Sequence, residues 1–133
     1  MKSLSNREFY SKLDEQINFA GKEFMNFRWR DKSCYANWLA QTYFIVRHTT
    51  RLAALAASKL DLTEQARHAH SLNQIAEERG HDVFALEDLK HMGFDINKFK
   101  ELPFTSALYQ SQYYWIEMAG PKAHYGFSVG LEG

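Results

Sequence analysis

Two prolines in 133 residues, Pro103 and Pro121, leave little to interrupt a helix along this chain. The strict apolar–polar alternation of a half-buried strand is absent, and apolar residues recur at three- and four-residue steps instead. The chain therefore reads as all-α, a single helical domain over residues 1–133. A first helix begins at Ser5, which with Glu8 has the spacing of a capping box. Phe9, Leu13, Ile17, Ala20, Phe24 and Phe27 follow as its apolar stripe. A second helix is expected over 32–59. A third opens at "DLTE", with Asp61 capping and Glu64 reaching back. It closes with Lys90 and His91 in the last turn and Gly93 just beyond. "DINKFKELP" reads as a short turn or helix ended by Pro103. A fourth helix covers 105–118, and a fifth starts with Pro121 in its first turn. That last segment reaches Gly133 without a cap or a polar tail. The expectation is the N-terminal portion of a larger bundle, or a fold completed by a partner chain.

Charge narrows the function classes. Sixteen basic and sixteen acidic residues cancel, so nothing points to nucleic acid or to an anionic membrane surface. Aromatic residues make up 15% of the chain, and such side chains bury large areas, so much of it must pack against something. Cys34 is the single cysteine, which excludes an internal disulfide and fits a reducing compartment. The N-terminal "MKSLSNREFY" turns polar where the apolar core of a signal peptide would begin. The apolar run "LAALAA" is far too short to span a bilayer. A cytoplasmic protein without a membrane segment is expected.

The residues that could carry chemistry lie in the middle helices. His48 shares a helical face with Phe44, Ile45, Leu52 and Leu55, so its imidazole points inward, as a core histidine or as a ligand. The third helix has an apolar stripe of Leu72, Ile75, Ala76, Val83 and Leu86, with Glu78 at its border. Two readings stay open for "IAEERGHD". Glu77 and His81 can form a weak pair on a solvated face with His70 and Asp88. Alternatively, Glu78 and His81, three residues apart on neighbouring turns, can bind one metal ion. A mixed carboxylate and imidazole shell suits iron. Tyr109, Tyr113 and Glu117 recur at four-residue steps and read as an aromatic core stripe ending in a carboxylate. Gly126, Gly130 and Gly133 would let a helix or flat ligand approach the backbone, and Glu132 stands among them. Cys34 has no evident activating neighbour beyond Lys32 and reads as inert.

Three stretches together, "QTYFIVRHTTRLAALAA", "IAEERGHDVFALEDLKHMGFD" and "YYWIEMAGPKAHYGFSVGLEG", resemble the first part of the haem-oxygenase-like superfamily. The likeness is greatest to its non-haem di-iron oxidases and oxygenases, and it runs from the second helix to the end of the chain. It implies a haem-oxygenase-like helical bundle, incomplete here at its C-terminal end. It also implies non-haem iron, one or two ions, activating dioxygen on a small organic, amino or fatty acid. By position, Glu78 and His81 match ligands of the third helix and Glu132 matches the glutamate of a later one. His48 falls where the group often has a conspicuous histidine. Further ligands come from a helix downstream of "LEG", so a homodimer with exchanged or shared helices is one way to complete the site. Two other classes remain: a metal-free binding or assembly module of the same fold, and a thiaminase-like or cofactor-synthesis member, for which Cys34 is a poor match.

Overall fold

The computed structural model describes residues 5–132, with the backbone alone at 6 and 128–132. Every regular element among the described residues is a helix, and none is a strand. The helices are α1 (Asn6–Asn26), α2 (Lys32–Val46), α3 (Thr49–Ser58), α4 (Gln65–Glu78), α5 (His81–His91), α6 (Pro103–Ala119) and α7 (Lys122–Glu132), with a 3-10 turn at Ile96–Lys98. They fall into two compact units, one reaching to Tyr35 and one beginning at Ala36. No helix among the described residues is long and apolar enough to cross a membrane.

In the first unit the capping box forms as its spacing predicts. The Glu8 carboxylate accepts from the Ser5 amide at 2.9 Å and its hydroxyl at 2.7 Å, while Ser5 Oγ accepts from the Glu8 amide. The helix ends in an aromatic knot. Trp29 lies 4.5 Å from Phe24 and 4.6 Å from Phe27, ring centre to ring centre, and its indole donates to the Phe24 carbonyl. Asp31 then caps α2 by accepting from the amides of Ser33 and Cys34. The expected apolar stripe does not become a core, since Phe9, Ile17 and Phe24 stay exposed.

The second unit corrects two expected helices. The segment 32–59 is not continuous: it bends at Arg47 and His48 into α2 and α3. The cause is local, because the Thr49 hydroxyl donates to the Val46 carbonyl at 2.8 Å, taking over an acceptor that a straight helix would use. The third expected helix breaks at Arg79 and Gly80 into α4 and α5. Gly80 has φ 94°, a left-handed conformation that a side chain disfavours. Nor does Asp61 cap α4: it accepts from Thr63 at 2.8 Å to close a turn, and α4 begins only at Gln65. The C-terminal signature of α5 does form. Gly93 turns left-handed, and the Phe94 and Gly93 amides donate to the carbonyls of Leu89 and Lys90.

Pro103 opens α6 rather than closing the turn before it, occupying the first helical position where its missing N–H costs nothing. Gln41 of α2 serves that helix start. Its side-chain oxygen accepts from the Leu102 amide at 3.0 Å and the Thr105 hydroxyl at 2.7 Å, and its nitrogen donates to the Lys100 carbonyl at 3.0 Å. Around this frame α3 packs on α4, α6 and α7, and α6 on α7. Alanines at 53, 56 and 57 make one side of α3 small and buried. Leu52, Ala56, Tyr109 and Ile116 form the central cluster, with Leu55, Tyr113 and Phe127 against it. The expected aromatic stripe of α6 is thus core at Tyr109 and Tyr113, and Glu117 ends it in a 2.7 Å ion pair with Lys59.

Candidate functional site

The α4–α5 break decides which residues face inward. A continuous helix would bury Leu72, Ala76 and Val83, yet all three are exposed. The inward side of α4 is instead Ser71, buried, followed by Gln74 and Glu78, both half-buried. Steps of three and four residues put these on one face. A polar helix face turned inward needs something to meet, and what it meets is a cavity.

That cavity has a volume of about 390 Å³. Its apolar wall is Trp38, Ile45, Val46, Ala53 and Phe127. Its polar groups are Thr42 and Thr49 on one side, Gln74 and Glu78 from α4, and His124 from α7. The space lies in the range of small-molecule sites, with the same balance of apolar wall and few polar groups. His124 is only 4% exposed, and its Nδ1 is buried without a hydrogen-bond partner. Burial holds this imidazole below its ordinary pKa, so at neutral pH it is the uncharged form. Gln74 Oε1 is likewise buried and unpartnered. Such groups cost stability when left unpaired.

Of the expected ligands, two come together. Glu78 Oε2 and His81 Nδ1 are 3.3 Å apart, across the Gly80 turn rather than on successive turns of one helix. Glu78 lines the cavity with its side chain 25% exposed, whereas that of His81 is 45% exposed. The other side of Glu78 borders a smaller recess of about 220 Å³ that holds Arg47, Arg51 and Arg79. His48 lines neither space. Its ring stacks on Tyr109 at 3.8 Å and nearly parallel, Nδ1 lies 3.1 Å from the Tyr113 hydroxyl, and Nε2 is buried without a partner. Burial first, and then Arg47 and Arg51, keep it below its ordinary pKa. Its inward direction survives the bend that the expected helix lacked. Tyr109 is held above its ordinary pKa by hydrogen bonding with Glu101, then by burial, and Tyr113 by burial. The Glu132 side chain lies outside the described residues, although the backbone of α7 runs to that position.

The donor types of Glu78 and His81, a carboxylate and an imidazole, suit iron. Their number falls short, since no group of three or more His, Cys, Asp or Glu able to hold a metal ion occurs among the described residues. Cys34 has a neighbour that the sequence did not suggest: Arg28 donates to its sulfur at 2.9 Å. His124, Gln74 and Trp38 are absent from the sequence-based candidates altogether. The available signal for His124 was one imidazole inside the apolar "AHYGFSVG"; for Gln74 it was the polar spacing Ser71, Gln74, Glu78. Compared with family models, with curated proteins and with solved structures, the chain matches none.

Proposed function

We propose that this chain is haem-oxygenase-like and serves as a non-haem iron oxidase or oxygenase whose substrate sits in the 390 Å³ cavity. The observation that carries the reading is the Glu78–His81 pair at 3.3 Å, one member of which lines that cavity. Glu78 and His81 would hold the metal, with Glu132 as the third ligand that the resemblance implies. Iron held there supplies the redox capacity to reduce dioxygen beside a bound small organic, amino or fatty acid. The chain's own part is positioning. The carboxylate of Glu78 would offset the charge of a bound metal, and the Gly80 turn keeps His81 within reach of it. Trp38, Ile45, Val46 and Phe127 would give an apolar substrate body a surface to pack against.

Anaerobic titration of the purified chain with ferrous iron, followed by metal analysis, tests this. The expected result is bound iron that both Glu78→Ala and His81→Ala abolish. Iron uptake indifferent to both substitutions, or none at all, would overturn it. A second reading, a metal-free assembly module, draws on the exposed Leu72, Phe84, Trp115 and Met118. It expects association of copies of the chain in sedimentation as concentration rises, with no iron bound.

A further inference from the structure

The first helix carries an apolar face that stays largely open. Tyr10, Leu13, Ile17, Ala20 and Phe24 follow one another at steps of three, four, three and four. That is the repeat of about 3.5 residues that marks a helix–helix seam, narrower than the face a helix turns to a globular core. Phe9 lies beside it, four residues before Leu13. Phe9, Tyr10, Ile17 and Phe24 are each between 50% and 62% exposed. Both ends of the helix are tied, by the Ser5–Glu8 capping box and by the Trp29 indole on the Phe24 carbonyl. A helix draws most of its stability from packing an amphipathic face, and α1 leaves most of this one unpacked.

We infer that the α1 seam is closed by the same seam of a second copy of the chain. Three observations favour that occupant. The spacing itself selects another helix, because knobs at a 3.5-residue repeat fit the holes of a like surface. The area suffices: aromatic side chains of about 150–250 Å² exposed to this degree leave about 400 Å² of largely apolar surface on each copy. Two copies face to face, with Leu13 and Ala20 between them, cover about 1,000 Å², the lower end of what a specific interface needs. The expected dimer is therefore weak, half-dissociated on the order of 10 μM. The edges of the seam also permit it. Asp14 and Gly21 flank it on one side, Gln16 and Glu23 on the other. Parallel helices set Asp14 against Phe9 and Gln16 against Gly21, and antiparallel ones set Asp14 against Gly21 and Gln16 against Glu23. Neither arrangement opposes like charges within the helix. A lipid surface fits less well, since the acidic residues of α1 outnumber its basic ones, four to three, whereas an interfacial helix has a polar face rich in Lys and Arg.

Sedimentation equilibrium of the full chain tests the pairing. The chain is expected to pass from monomer to dimer across the micromolar range. Ile17→Glu, with helix content unchanged by circular dichroism, is expected to stay monomeric, because it sets two carboxylates against each other in the seam. Ala20→Leu is expected to tighten the dimer by roughly tenfold or more, since it adds apolar atoms at a seam position of both copies. Phe19→Glu, on the opposite face of α1, and Trp115→Glu, on α6, are expected to associate as the parent does. A parent chain that stays monomeric, or association that survives Ile17→Glu, would overturn the proposal. So would association lost in Trp115→Glu, which would place the contact on α6, or a monomeric chain that binds phosphatidylserine vesicles through Ile17. Metal analysis of the monomeric Ile17→Glu variant keeps the iron reading separate: iron uptake there tests Glu78 and His81 alone, and its absence leaves the α1 pairing untouched.

Discussion

Two glutamines make opposite predictions from the same substitution. Gln74 Oε1 is buried with no partner, in a residue that lines a cavity whose wall is mainly apolar. Leucine has nearly the same size and an equal or better helix propensity, so Gln74→Leu removes an unsatisfied acceptor without breaking a hydrogen bond or the α4 backbone. An unpaired buried polar group costs about 1–3 kcal/mol, and relieving it is expected to stabilise the chain by about 1–2 kcal/mol. For a domain of this size that is a rise of roughly 3–8 °C in the melting midpoint. Gln41→Leu runs the other way. Gln41 satisfies the Leu102 amide, the Thr105 hydroxyl and the Lys100 carbonyl, and its loss leaves the start of α6 without those partners. Since part of that region is solvent-exposed, water recovers some of the loss, and the expected cost is about 1–2 kcal/mol. Urea unfolding followed by circular dichroism measures both on one scale. A destabilised Gln74→Leu would refute the reasoning, because it would mean that ordered water already satisfies the amide inside the cavity.

Leu52→Ala is expected to cost about 2–5 kcal/mol in the same urea assay, since Leu52 is 1% exposed at the centre of the core cluster; a loss below about 1 kcal/mol would mean that the site collapses around the missing atoms. Acid is expected to weaken the fold. His48 and His124 both have folded pKa values below their ordinary one, so as pH falls below about 6.5 the unfolded chain takes up protons that the folded chain refuses. Their contribution is present in full above that pH and is lost on the way down, so the urea midpoint should fall from pH 7 to pH 5, and less steeply in His124→Gln. Gly80→Ala meets no neighbouring atom but forces a side chain into the left-handed region, at a cost of about 1–2 kcal/mol. The same change should weaken iron uptake, because the turn is what brings His81 to Glu78; unchanged uptake would show that the metal, where bound, does not need this turn.

How much of this could be read from the chain alone varied with the range of the interaction. Signals closed within a few residues were legible: Ser5 with Glu8, Gly93 after α5, the helical periodicity of the whole. Tyr109 and Tyr113 were placed correctly because α6 is unbroken and its phase carries through. The inward face of the segment 70–93 was misread for the converse reason. A phase of about 100° per residue holds only while the backbone stays helical, and Gly80 resets it, so apolar residues counted as one stripe belong to two helices. An isolated glycine in a helical pattern is usually tolerated, and the sequence offered no local reason to end the helix there rather than at Gly93. The bend at His48 was hidden in a similar way, by a threonine hydroxyl that competes for a backbone carbonyl while leaving the apolar spacing intact.

The same break explains why the site residues divide as they do. Glu78 and His81 could be paired from sequence because their relation is local, and the two side chains still meet across the turn by a different geometry. Gln74 and His124 were missed because their significance is a shared wall between α4 and α7, about fifty residues apart in the chain, which no periodicity encodes. On a continuous helix, the polar positions 71, 74 and 78 fall outside the apolar stripe, with Glu78 at its border. Once α4 stops at Glu78, those residues need no longer follow the phase of α5, and the polar face can turn inward while α5 buries Ala85 and Leu89. Burying polar groups without partners is unfavourable for stability alone. At Gln74 and at His124 that cost is present, and the two residues line the same cavity from α4 and α7.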